Sequence, residues 1–338
     1  MVHLLKLAFA TLIYYLLYRY NFFSFSTLKN IASDPWFLVL GSLAIFLTVP
    51  LGSLRWRQLL AAQGMEMGFL RVFGLFYLGF FANTLLPGAI GGDVVRAAAV
   101  CQERQGSRIP ALSTILMDRV CGLYAIIFVG ALSVMLLPKE AFEHPLLITL
   151  RFFLLALFAA ATLSLAATFI FSPRLVEYGK TRQMDKKSYI VAKLFGLMVA
   201  ISLFRLALSR LALGIVFSIV IQLLTVLTVF LACWIGSDSY LDYWACAFAT
   251  SMAMFASIIP LTPGGMGIGE AAFTQLCVLL ASSQISQGFT DAFIAFRMLG
   301  LLVAMPGLLF YFVMNGKAND QPTIVPADKN RDGATRSH

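Results

Sequence analysis

Charge is the first thing this chain is short of. Only 12% of its 338 residues are Asp, Glu, Lys or Arg, while 60% are hydrophobic and mean hydropathy is +0.85; an ordinary soluble domain is roughly 25% charged. A soluble fold of this length needs a polar shell that 25 basic and 16 acidic residues cannot supply, which excludes a cytosolic enzyme. Histidine is scarcer still. His3, His144 and His338 stand at the start, in a loop and at the last position, so histidine-based catalysis and metal binding have almost no material. Cys101, Cys121, Cys233, Cys246 and Cys277 are odd in number and form no CxxC pair, and neither a disulfide framework nor a zinc site follows. No cofactor, metal centre or catalytic constellation is expected. What is abundant suits lipid as the solvent: 30 Phe, 11 Tyr and long aliphatic runs. The net charge of +9 fits the positive cytoplasmic loops of a membrane protein and does not require nucleic acid.

A bilayer-crossing helix needs about 20 predominantly apolar residues, and six runs meet that need: Leu4 to Tyr20, Trp36 to Leu54, Ile109 to Leu137, Leu146 to Phe171, Leu211 to Ile235 and Ala292 to Val313. The first resembles the core of a signal peptide but runs into Arg19 and Tyr20 without a small-residue cleavage site, which predicts a retained helix. Basic residues set the orientation. Arg55, Arg57 and Arg71 flank one turn, Arg96, Arg104 and Arg108 mark the next, and eight Lys or Arg crowd the segment from Arg174 to Arg210; these are expected in the cytoplasm. That third segment is expected to attract anionic lipid, or to serve only as a topology signal. The segment with Glu140 and Glu143, the turn with Asp238 and Asp242, and the Ser282 to Asp291 loop are expected outside.

Two further apolar stretches have both ends on one side, which predicts re-entrant hairpins. The first breaks at Asn83-Thr84-Leu85-Leu86-Pro87-Gly88-Ala89-Ile90-Gly91-Gly92-Asp93, with Arg96 following; the second at Pro260-Leu261-Thr262-Pro263-Gly264-Gly265-Met266-Gly267-Ile268-Gly269-Glu270. Each reads Pro-Gly, a glycine-rich stretch and one carboxylate, and the match points to an inverted repeat. Proline removes a backbone donor and glycine relaxes φ, so both segments should unwind, which a membrane tolerates only where protein or water satisfies the freed groups. Simple kinks for close helix contact are the plainer alternative. The expected architecture is an all-α polytopic membrane protein of about six full crossings and two hairpins. Residues 1–314 form the membrane region and residues 315–338 a disordered tail, with both termini cytoplasmic.

Asp118 and Arg119 fall within the third expected span and Arg297 within the sixth. An isolated charge there costs at least about 2.5 kcal/mol on insertion scales, so each should pair inward. Asp118 and Arg119 point about 100° apart on a helix and need separate partners, with Arg96 or Arg297 open to the acid and Asp93 or Glu270 to Arg119. Structural ion pairs and ligand contacts remain equal alternatives at this point. Arg151 lies near a helix end and can snorkel.

The Asn83 to Arg96 run, the Asp118-Arg119 helix with Gly122, the Pro263 to Glu270 run and Arg297 with Pro306-Gly307 together resemble the transmembrane family of lysylphosphatidylglycerol synthases and flippases, over most of the chain. The resemblance implies a multi-pass protein of the cell (inner) membrane that handles phospholipids, particularly anionic or lipid-linked ones. Some members are described as flippases, and others are tied to glycolipid, polyprenyl-lipid or hopanoid metabolism. The full synthase adds a soluble aminoacyl-transfer domain after its membrane part, whereas only a polar tail follows Val313 here, so a stand-alone member without aminoacyl transfer is expected. In this reading Asp93, Arg96 and Glu270 contact a lipid head group, the glycines open backbone amides to its phosphate, and Asn83, Pro87, Gly88, Pro263, Asp118, Arg119 and Arg297 complete the site. A membrane-embedded transferase using Asp93 or Glu270 as general base is the alternative enzyme class. An accessory subunit of a lipid-modifying enzyme, and a homo-oligomer, are the alternative assemblies.

Overall fold

The computed structural model describes residues 25–85, 91–103, 108–181, 189–236, 241–258, 265–281 and 288–310. Every regular element among them is helical. A short α1 (Phe25–Ser33) leads through a π-helical turn (Phe37–Gly41) into α2 (Ser42–Ala62), followed by α3 (Phe69–Leu85), α4 (Gly91–Glu103) and α5 (Arg108–Leu136). After a 3₁₀ turn (Lys139–Phe142) come α6 (Pro145–Thr181) and α7 (Tyr189–Leu203). A second 3₁₀ turn (Phe204–Ala207) joins α7 to α8 (Leu208–Gly236), and α9 (Tyr243–Ser257), α10 (Ile268–Leu280) and α11 (Phe289–Ala304) complete the order.

Among the described residues, five segments are long and apolar enough to cross a membrane: Phe37–Ala62, Ile109–Leu136, Pro145–Thr181, Val191–Gly236 and Phe289–Phe310. They contain or overlap five of the six expected runs; the sixth, Leu4 to Tyr20, lies outside the described residues, as do the tail and Pro87, Gly88, Pro263 and Gly264. Local chemistry explains the helix starts. Pro145 occupies the first position of α6, where its missing N–H costs nothing. Asp242 accepts from the Trp244 amide at 2.8 Å and caps α9.

Helix α5 runs the depth of the bundle and works as a ruler. Near its start, Ala111 joins Trp56 and Leu60 of α2, Val72 and Leu75 of α3 and Val100 of α4 in one apolar cluster. Near its end, Ile127, Val134 and Leu137 join Phe248 of α9, Phe273 and Cys277 of α10 and Phe293 of α11 in the largest cluster. The α3–α4 pair and the α9–α10 pair therefore pack at opposite ends of the bundle. At 13–17 residues per helix, each of these four rises about 20–26 Å, short of the roughly 30 Å hydrocarbon core. Within the first pair the backbones nearly touch: a Cβ on Gly92 would collide with the Gly79 carbonyl, and the Gly92 amide donates to Asn83 Oδ1 at 2.9 Å.

Three expectations need correcting. Arg55 does not flank a loop, because α2 continues through Leu59, Leu60 and Ala62 and carries it inside the bundle. The described residues of the Arg174 to Arg210 segment do not form a loop either. It holds the end of α6, the apolar helix α7 with Lys193 its one charge, and the 3₁₀ turn; its charges cluster in linear sequence while its apolar residues keep helical order. Asp291, expected in an outer loop, is 0% exposed in the first turn of α11.

Candidate functional site

Helix α4 presents Asp93 and Arg96 one turn apart, and α5 presents Asp118 and Arg119 side by side, so the two faces exchange charges crosswise. Arg119 Nε donates to Asp93 Oδ2 at 2.8 Å, with Nη2 at 2.7 Å from the same oxygen. Both terminal nitrogens of Arg96 donate to Asp118 Oδ2 at 3.0 Å. The other Asp118 oxygen accepts from Arg55 Nε at 2.6 Å, and Arg55 Nη1 continues to Ser218 Oγ of α8 at 3.1 Å. Five side chains from three helices thus form one network of three guanidinium groups and two carboxylates.

Its floor is aromatic. The Arg96 guanidinium lies 4.1 Å from the Trp56 ring centroid and 4.8 Å from that of Phe76, and Trp56 Nε1 donates to Thr114 Oγ1. Such stacking holds a planar cation where hydration is lost. Asp118 stands ten residues, about 15 Å, into the 29-residue α5. Exposure grades outward: the side chains of Asp118 and Arg96 are 4% and 5% exposed, Asp93 14% and Arg119 49%. Asp93 Oδ1, 3.6 Å from Arg96, and Arg96 Nε are buried and make no hydrogen bond.

The second network sits at the other broken pair. Arg297 Nε of α11 meets Glu270 Oε1 at 3.0 Å, and Arg297 Nη2 donates to Ser257 Oγ and to the Gly265 carbonyl, each at 3.2 Å. Glu270 Oε2 accepts from the Gly267 amide at 2.7 Å. Gly265 and Gly267 hold φ of +67° and +84°, a region that favours glycine. A side chain at Gly265 would also strike Ser257.

A family model described as the lysylphosphatidylglycerol synthase transmembrane region matches residues 3–307, a span that includes every residue of both networks. This chain belongs to that family. As a member it is an integral, multi-pass membrane protein, in keeping with its five membrane-length segments. It is also similar to a UPF0104 membrane protein of Methanothermobacter thermautotrophicus, 27% identical over 103 residues. The aligned stretch covers 30% of this chain and 30% of that protein.

Of the residues singled out from the sequence of this family member, Asp93, Arg96, Asp118 and Arg119 meet in the first network and Gly265, Gly267, Glu270 and Arg297 in the second, while Asn83, Gly91 and Gly92 shape the start of α4. The sequence reading missed Arg55, Trp56, Ser218 and Ser257. A signal for Arg55 was present: Trp56, Leu59 and Leu60 follow it at helical spacing and all are buried, so the helix had no reason to stop at Leu54.

Proposed function

We propose that this protein holds the head group of a phospholipid or a related lipid-linked amphiphile at its broken helix pairs and moves it between leaflets. The observation that carries the reading is the first network: guanidinium and carboxylate groups concentrated deep within apolar helices, beside a break, and graded from fully buried Asp118 to half-exposed Arg119. Charges inside a membrane are costly and mark ligand or ion pathways. A planar guanidinium suits a phosphate, since it offers parallel donors. Asp93, with one oxygen outside any hydrogen bond, is placed to balance a cationic group on the same ligand.

The location of the two short helix pairs at opposite ends of the bundle supports re-entry from opposite faces, the arrangement of inverted-repeat transporters. We place both termini in the cytoplasm of a cell-membrane protein, on the distribution of basic residues. Single cysteines at exposed Glu143 and at Arg57 in a cysteine-free background test this. An impermeant thiol reagent should reach the first from outside and the second only after the membrane is opened.

The test of function is reconstitution of the purified chain in liposomes carrying labelled anionic, zwitterionic and aminoacylated lipids, with leaflet exchange and lipid products recorded together. Exchange without a new lipid species is expected, and Asp93→Asn should abolish it in a protein that still folds. A new lipid species would assign a transferase instead. Neither outcome in well-folded preparations would leave an accessory role.

A further inference from the structure

The far end of α6 carries a feature that the two ion-pair networks do not use. A helix of 37 residues is about 55 Å long, nearly twice the hydrocarbon thickness. Its start adjoins Lys139, Glu140, Glu143 and His144, all exposed, so a helix of this length passes through the whole core and its last turns emerge on the opposite side, where α7 packs against them beside the end of α2 and the start of α5. Contacts of α7 agree with that depth. Phe195 of α7 closes on Gly179 of α6, Ile109 at the start of α5 meets Gly196, and Gln63 Nε2 just beyond α2 donates to the Ala200 carbonyl at 2.7 Å.

Between α6 and the α7–α8 junction lies a cavity of about 290 Å³. On one wall stand Pro173, Val176, Glu177 and Lys180, which share one face of α6 at helical spacing. Leu203, Arg205 and Leu206 form the other wall, where the 3₁₀ turn buries Phe204 completely and turns its neighbours outward. Leu206 is 77% exposed and Leu203 40%, so the cavity opens beside an apolar, lipid-facing surface. The Gly179–Phe195 contact leaves no room for a Cβ and holds the two walls at a set distance.

We propose that this cavity is a binding site for an anionic phospholipid of the adjoining leaflet. Lys180 and Arg205 take the phosphate, while Val176, Leu203 and Leu206 receive the glycerol end of the acyl chains. Two cations at the head-group level above an apolar opening match the charge and the polarity gradient of such a lipid. Glu177 sets an upper bound on affinity by repelling the same phosphate. The site is separate from the two ion-pair networks and stands whether or not they transport lipid.

Native mass spectrometry of the full chain, titrated with phosphatidylglycerol, phosphatidylcholine or inorganic phosphate, tests the proposal. Phosphatidylglycerol should be retained over phosphatidylcholine, and millimolar inorganic phosphate should not displace it. Combined Lys180→Gln and Arg205→Gln should lower retention about thirtyfold, at about fivefold for each basic group near a membrane surface. Glu177→Gln should raise retention, and it decides the matter if the double variant does not fold. Arg174→Gln, on the same helix end but outside the cavity, should change retention less than twofold. A fivefold loss in Arg174→Gln would mean diffuse surface attraction and overturn the site. So would unchanged or weaker binding in Glu177→Gln, equal retention of the two lipids, or displacement by free phosphate.

Discussion

Asp93 and Glu270 stand at matching places in the two broken helix pairs, each in the first turn of the returning helix, yet they are put to different work. Glu270 is 0% exposed and turns one oxygen back onto the Gly267 amide, capping its own helix while the other oxygen holds Arg297. In the first pair the cap comes from the opposite helix: Asn83 of α3 accepts the Gly92 amide, and Asp93 is released to face Arg119. A carboxylate relieved of capping is available to exchange partners. One that also supports the backbone is not, because moving it unties the helix start. The two breaks therefore share an order of residues but divide into a braced end and a responsive end.

The comparison breaks most directly at Asp118, which anchors the responsive end. Asp118→Ala leaves Arg55 and Arg96 buried without their acid and should cost about 3–5 kcal/mol, read as a loss of thermal or denaturant stability in detergent. A variant that melts with the parent would show that these guanidinium groups are solvated otherwise. At the braced end, Glu270→Ala should cost about 2–4 kcal/mol, losing a charged hydrogen bond and a cap together. Glu270→Gln should restore about 1 kcal/mol, the share of the cap. Equal stability of the Ala and Gln variants would remove the bracing role. Gly92→Ala forces α3 and α4 apart against the Gly79 carbonyl and should cost about 1–3 kcal/mol, as overpacking does. Gly300→Ala meets open space and serves as its neutral partner in the same melt. Among the network residues, the smallest effect on stability belongs to Arg119→Gln. Its side chain is 49% exposed, so the change should stay within about 1 kcal/mol while abolishing leaflet exchange in the reconstituted protein. Normal exchange in that variant would turn Arg119 into a structural residue.

Hydropathy made the long helices legible, because residues 37–62, 109–136, 145–181 and 289–310 satisfy length and polarity without reference to any neighbour. The turn at Gly265 and Gly267 before α10 was legible from its glycines, and Arg96 stood among the partners offered to Asp118. What escaped was whatever depended on reading a charge as a boundary. Arg55 beside Arg57 looks like the end of a crossing, although Leu59 and Leu60 continue the helix past it, and its interior partners Asp118 and Ser218 are distant in sequence. Helix α7 was hidden the same way, its apolar residues overshadowed by the Lys and Arg on either side. Asp291 looked exposed for its charge alone, though it opens α11 as a buried first-turn acid.

Helix α11 touches both of the short helix pairs. Arg297 grips Glu270 and Gly265 of the braced pair. Two turns further on, the Val303 carbonyl accepts from Tyr77 of α3 at 2.6 Å, and Gly307 lies against the Tyr77 carbonyl with no room for a Cβ. Roughly 9 Å of helix separates the two attachments. A rod so short and so closely seated ties the two pairs mechanically, so any displacement of α3 that strained the Glu270–Arg297 pair would be resisted by that pair to the same extent.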